Sequence, residues 1–293
     1  MPKSNKTVKY EANLFFSNRR QSTLHTFDLP KDLEKEYPLL HITQEYHNFN
    51  DLVINKDVVE TLHNIISENK SIDRLNSYGL WPKNKILFSG PPGTGKTLSA
   101  KILSTVMGYP LAHVTFDAII SSYLGDTATN LRKIFEFIEK HQFVVLFDEF
   151  DMVGKKRDDP HEHGEIKRVV NNFMQMLDNF KGSSIIIAAT NHVQLLDTAM
   201  WRRFDEILNF DLPDAKRRKI LFKKYLSTLH RSDNLTPELL SKQTVNYSAA
   251  DIAKICIDAM CKSIIDESNV ITNEYITWAI NQQKRRKKAI SIG

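Results

Sequence analysis

Cysteine is scarce in this sequence: Cys256 and Cys261 are the only two in 293 residues. They stand five apart in a stretch of helical periodicity, point to different faces and cannot bridge within it. A disulfide scaffold is excluded, and a reduced, cytoplasmic protein is expected. Runs of about 18 apolar residues are absent, so no membrane span is expected. The opening residues MPKSNKTVKY contain no apolar stretch of the secretory kind. Internal repeats, heptads and low-complexity segments are also missing. Positions 284–293 lack acidic residues, and there Lys284-Arg-Arg-Lys-Lys288 carries the equivalent of the whole net charge of +5. The rest of the chain is formally neutral. That argues against a broad nucleic-acid surface and leaves only the basic run for such a contact, or for an acidic lipid or protein surface.

What is present begins with Gly90-Pro-Pro-Gly-Thr-Gly-Lys-Thr97, which has the spacing of a phosphate-binding loop. Lys85-Ile-Leu-Phe-Ser89 before it reads as a buried strand. Leu98 to Met107 after it reads as a helix with Leu98, Ile102 and Val106 on one side. Glycines let the backbone wrap an anion, and the unpaired N–H groups of a helix start favour phosphate. Pro92, Gly93, Thr94, Gly95, Lys96, Thr97 and Leu98 are therefore the candidate nucleotide contacts. Lys96 can reach the β- and γ-phosphates, and the Thr97 hydroxyl can hold Mg²⁺.

Further along, the apolar run Phe143-Val-Val-Leu-Phe147 ends in Asp148-Glu149. Ligands of open α/β sheets gather at the carboxyl ends of strands. Asp148 can hold Mg²⁺ there, and Glu149 can polarise a water for attack on the γ-phosphate. Thr190-Asn191 closes the next strand, Ser184 to Ala189. The neutral Asn191 amide can hold the attacking water or a phosphate oxygen. Arg202 and Arg203 follow, as guanidiniums able to stabilise a phosphoryl transition state, or as surface residues paired with Asp205 or Glu206.

Around these motifs the chain alternates strands and amphipathic helices, with strands expected at 85–89, 111–116, 143–147, 184–189 and 206–210. Helical periodicity links them, as at Leu131, Ile134, Phe135 and Ile138. The expected fold class is α/β: a five-stranded parallel sheet with helices on both faces, followed by a small all-helical region. The expected divisions are an arm at 1–45, a large α/β part at 46–212, a helical lid at 213–283 and a basic tail at 284–293. Residues 1–27 carry five Lys/Arg and one acid, a faint organelle-transit composition, although a basic arm is the simpler reading. Phe27, Leu29 and other apolar residues make the arm too apolar for a solvated tail, so it is expected to dock, on its own assembly before any other partner.

Gly90–Thr97, Phe147–Asp151, Ile187–Asn191, Leu196–Phe204 and Tyr247-Ser-Ala-Ala-Asp251 occur in the order and spacing of AAA ATPases. Over about residues 46–283 the chain resembles that family, and within it the meiotic and fusion-protein branch of ring-forming remodellers. The resemblance implies ATP bound between a large subdomain and a helical lid, with Mg²⁺, and a hexamer as the active form. It implies that Asn191 senses the γ-phosphate and that Arg202 and Arg203 act on the neighbour's ATP. It places Ala249 against the adenosine, where Ser248-Ala249-Ala250-Asp251 replaces the usual Ser-Gly-Ala-Asp.

Tyr123-Leu124-Gly125 matches the loop that grips extended polypeptide in the family's central pore; a buried tyrosine is the other reading. Lys155 to Glu165 falls at the second pore loop. There His161, Glu162 and His163 lack the i, i+4 spacing of a helical zinc site and read as a charged, pH-sensitive lining. The implied function is ATP-driven remodelling, unfolding or threading of a protein. The alternative is an ATP-dependent scaffold or switch that activates a separately encoded effector such as a peptidase.

Overall fold

The computed structural model describes residues 27–32, 36–115, 119, 126–150, 160–192 and 198–290. Three-residue strand β1 (His41–Thr43) comes first, then helices α1 (Lys56–Lys70) and α2 (Ile72–Asn76). Strand β2 (Lys85–Ser89) leads through the glycine-rich loop into α3 (Lys96–Met107). Next come β3 (Leu111–Thr115), α4 (Asp126–Glu139), β4 (Val144–Asp148), α5 (Pro160–Asn179) and β5 (Ile185–Thr190). A short helix α6 (Thr198–Trp201) precedes β6 (Glu206–Asn209). The remainder is α7 (Ala215–Tyr225), β7 (His230–Arg231), α8 (Pro237–Gln243), α9 (Ala249–Ile265), β8 (Val270–Ile271) and α10 (Asn273–Ile290).

The main sheet has six strands in the order β1-β3-β4-β5-β2-β6. Five run parallel, as the sequence predicts. The sixth, β1, pairs antiparallel with β3, Ile42 opposite Ala112. Its residues fall in the stretch expected to be an arm, so that stretch builds part of the sheet. Three residues are too few for a period-2 pattern to be legible.

Strand alternation divides the core in two. Leu87, Val145, Phe147, Ile186 and Ala188 face one side, where α4 and α5 cover them with Leu131, Ile134, Phe173 and Leu177. Ile86, Phe88, Val144, Leu146, Ile185 and Ile187 face the other, under Leu62 and Ile65 of α1 and Leu103 of α3. Burial on both faces explains why β4 and β5 read as unbroken apolar runs. Phe27 and Leu29 pack onto the first of these clusters, so this part of the arm docks on its own fold.

A third cluster fills the helical region, with Phe222, Leu240, Ile252, Ile255 and Ile276 at its centre. It is not wholly helical: β7 and β8 pair in parallel over two residues each. Nor does its last helix stop near residue 283, since α10 runs on to Ile290 and takes up the basic run. Among the described residues, no helix is long and apolar enough to cross a membrane.

Candidate active site

The site forms where β2, β4 and β5 end side by side. Gly90 N donates to Thr190 O at 3.2 Å, joining the start of the loop to the end of β5. Gly90 has φ +139, and a Cβ there would lie 2.0 Å from Phe210 O, so no other residue fits between the two backbones. At Gly93, φ +74, a Cβ would come within 2.7 Å of Ser248 Oγ and 2.8 Å of Ala250 Cβ. The loop therefore meets the first turn of α9 at a position open only to glycine. Ala250 N seals the contact by donating to Gly93 O at 3.1 Å.

Helix α3 starts after Gly95, φ 109, without a side-chain cap. The first-turn N–H groups of such a helix have no internal partner and favour an anion. Lys96 is 7% exposed. Its ammonium donates to Gly90 O at 2.6 Å, Pro91 O at 2.9 Å and Asn191 Oδ1 at 2.9 Å. A buried cation at the mouth of an uncapped helix, on a loop that excludes side chains, is what a triphosphate requires. The lysine and Asn191, 95 residues apart in sequence, are thereby brought together.

Thr97 Oγ1 donates to Asp148 Oδ2 at 3.1 Å. Hydroxyl and carboxylate side by side form an oxygen-only donor set suited to a hard divalent cation. Burial pushes the Asp148 carboxyl up, but the His113 ring, the Glu149 amide and the Thr97 hydroxyl outweigh it. The carboxyl is held below its ordinary value and stays ionised. His113 Nε2 lies 3.5 Å from Asp148 Oδ2. His113 stands in none of the sequence motifs; its one local signal is an imidazole inside the largely apolar Leu111-Ala-His-Val-Thr115.

Glu149 is exposed and has φ 56, a left-handed conformation that side chains rarely adopt. Its amide donates to Asp148 Oδ1 at 2.9 Å. Fully buried Phe147 and Phe150 flank the acid pair and fix it from below, both packing on Phe173 at centroid distances of 5.0 Å. The turn at Glu149 thus lifts one carboxylate out of an otherwise buried strand end.

The segment before α1, which carries no motif, also lies against the loop. A Cβ at Gly95 would touch Leu52 Cδ1 at 3.3 Å and Ile54 Cγ2 at 3.5 Å. Val53, between them, packs instead into the helical cluster. Lys224 Nζ of α7 donates to Asn50 O at 3.0 Å. This segment spans the sheet region and the helical region beside the loop, and Asn55 Nδ2 ties it to Asp211 Oδ2 at 2.7 Å. Nothing in its apolar content separates it from ordinary core.

Arg202 and Arg203 are exposed. Arg203 is ion-paired with Asp178 of α5, not with Asp205 or Glu206. Asp205 Oδ2 instead accepts from the amides of Asn84 and Lys85, and Glu206 pairs with Lys83 at 2.7 Å. Neither arginine is brought to the loop of its own chain. Tyr123 and Leu124 lie outside the described residues, as do 155–159 of the expected second pore loop. His161 to His163 belong to the first turn of α5, not to a loop.

A family model described as "ATPase family associated with various cellular activities (AAA)" matches residues 86–212. An "Uncharacterized AAA family ATPase" of Sinorhizobium fredii is 40% identical over 245 residues, 82% of this chain and 72% of its own length. A "Proteasome-activating nucleotidase" of Saccharolobus solfataricus is 36% identical over 220 residues, 73% of this chain and 56% of its own. A "Putative 26S proteasome regulatory subunit homolog" of Methanothermobacter thermautotrophicus is 29% identical over 256 residues, 86% of this chain and 68% of its own. The chain thus spans little more than half the length of the proteasome-activating nucleotidase it matches.

Proposed function

The chain belongs to the AAA family of ATPases and hydrolyses ATP, and from that premise we propose that it works as a ring, a hexamer by family analogy, in which each protomer's site is completed by the next. The observation that carries this reading is the polarity of the sheet. Lys96 and Asn191 meet at the carboxyl ends of the strands. Arg202 and Arg203 precede β6, at the amino ends, where Asp205 N donates to Lys85 O at 2.8 Å. The five residues of β2 separate the two ends by about 16 Å at ~3.3 Å per residue, more than an arginine side chain spans. Guanidiniums so placed are out of reach of their own chain's loop, which supports a role for them at a neighbouring protomer's site.

Within each site, Lys96 binds β- and γ-phosphate oxygens, and Thr97 with Asp148 would hold Mg²⁺. The chemistry supplied by Mg²⁺ when bound is neutralisation of charge on the phosphate oxygens. Glu149 removes a proton from the attacking water. Asn191 orients that water or a γ-oxygen without adding charge. Leu52 and Ile54 from one side, with Ala249 from the other, enclose the adenosine. Arg202 and Arg203 of the neighbour balance charge on the transferring phosphoryl group. The turnover drives Tyr123 and Leu124 along a polypeptide, which is remodelled, unfolded or threaded.

The name of the proteasome-activating relative supports a second reading, a switch that activates a separate effector such as a peptidase. Tyr123→Ala separates the two. It abolishes threading of a fluorescent protein while sparing basal ATPase in the first reading, and leaves effector activation intact in the second. The ring itself is tested by mixing inactive protomers. Lys96→Ala chains, which keep their arginines, should restore hydrolysis to Arg202→Ala/Arg203→Ala chains, which keep their sites. If the mixture stays inactive, shared sites are ruled out.

A further inference from the structure

The basic run near the end of the sequence is not simply a solvated face. Helix α10 carries it back across the start of α9. Lys287 Nζ lies 2.6 Å from Asp251 Oδ2 and 4.2 Å from the centroid of the Tyr247 ring. One turn earlier, Gln283 Nε2 donates to Asp251 Oδ1 at 2.7 Å. Asp251 is engaged on its own helix as well. Its Oδ2 accepts from Ser248 N at 2.8 Å, and its amide donates to Ser248 Oγ at 3.2 Å, a reciprocal cap. Both oxygens of one carboxylate therefore join the end of α10 to the first turn of α9. That turn is the one that meets the phosphate-binding loop, through Ala250 N and Gly93 O.

We propose that Lys287 and Gln283 are positioning residues for nucleotide binding, holding Asp251, and through it the Ser248–Ala250 turn, against the loop at Gly93. This rests on the reading of that turn as the adenosine side of the site. The pair is better placed than an open surface ion pair, because the Asp251 side chain is only 15% exposed and a short charge-assisted bond gains strength as water withdraws. The Tyr247 face behind the ammonium narrows where Lys287 can sit. Gln283 takes the other oxygen, so the carboxylate cannot rotate without losing a partner. Lys284 and Arg285, in the same run, are exposed. One stretch of positive charge is thus divided between a brace and a solvated face.

The experiment uses the full chain and reads the KM for ATP, the Kd of a fluorescent ADP analogue, kcat and the melting temperature. Lys287→Ala and Gln283→Ala should each raise KM and Kd by about 3- to 10-fold while changing kcat less than about 2-fold, the pattern of lost ground-state binding. Lys287→Arg should recover most of the affinity, and Lys284→Ala should match the unaltered chain. Ala249→Leu, which adds bulk to the turn itself, tests the underlying reading and should also raise Kd. If Ala249→Leu weakens binding while Lys287→Ala and Gln283→Ala do not, the brace is wrong and the turn reading survives. If none of the three changes Kd, the turn is not at the nucleotide and both ideas fall. A lower melting temperature with unchanged Kd would make Lys287 a purely structural residue and overturn the proposal.

Discussion

Lys96 and Asn191 share a 2.9 Å hydrogen bond between the start of α3 and the residue after β5. The ammonium therefore sits between the loop carbonyls and a neutral amide, where the proposed function puts the terminal phosphate. Asn191→Ala should leave ATP affinity within about 3-fold and lower kcat about 10- to 100-fold, as loss of a group that acts mainly in the transition state. Lys96→Ala should abolish measurable binding. Titration calorimetry with single-turnover kinetics separates the two effects.

Glu149 stands exposed in a left-handed conformation beside an ionised Asp148. Glu149→Gln keeps the shape and removes the proposed base, so hydrolysis should fall by about 10²- to 10⁴-fold with ATP still bound. Size-exclusion chromatography with ATP should then show the ring persisting. Hydrolysis at the unaltered rate would remove Glu149 from its role.

Arg203 is paired with Asp178 on its own α5, both partners about two-fifths exposed. Such a pair contributes at most about 1 kcal/mol, so releasing the guanidinium toward a neighbour costs little. Asp178→Asn should leave the melting temperature nearly unchanged and preserve hydrolysis. Arg202→Ala/Arg203→Ala should keep ATP affinity and lose roughly 10³-fold or more in kcat.

Phe173 contacts Phe135, Phe147 and Phe150 beneath the acid pair. Phe173→Ala opens a cavity there and should destabilise the fold by about 3–5 kcal/mol. Denaturant unfolding measures that, and Phe173→Leu should recover a large part of it.

Burial raises the Asp251 carboxyl, but Lys287, the Ser248 amide and Gln283 outweigh it and hold it below its ordinary value. With the folded-state value below the unfolded one, its stabilisation is complete above the ordinary aspartate range, about 4. It is lost as pH falls through the folded-state value. Asp251→Asn should therefore flatten the acid side of the stability profile and leave its shape above pH ~6 unchanged. Melting temperatures across that range check it.

The sequence was legible where one local pattern carries the physics. The glycine spacing at Gly90–Thr97 and the apolar run ending in Asp148-Glu149 locate the loop and the acids, and the structure joins them through the Thr97–Asp148 hydrogen bond. It was less legible where identity depends on distant packing. Strand β1 is too short to show a period, and β7 and β8 are shorter still. Leu52 and Ile54 look like any core residues until the loop is placed beside them. The basic run reads as solvated because nothing local announces that Asp251 and Asp258 wait across α9 for Lys287 and Arg286.

Strand β1 has a bearing on the chain's behaviour in concentrated solution. By lying antiparallel along β3 it caps a rim whose amide and carbonyl groups would otherwise be open to a stranger's backbone. A protein trimmed past Thr43 would lose buried Leu39 and Leu40 from its core, present that rim to its siblings and drift toward insoluble, mispaired sheets.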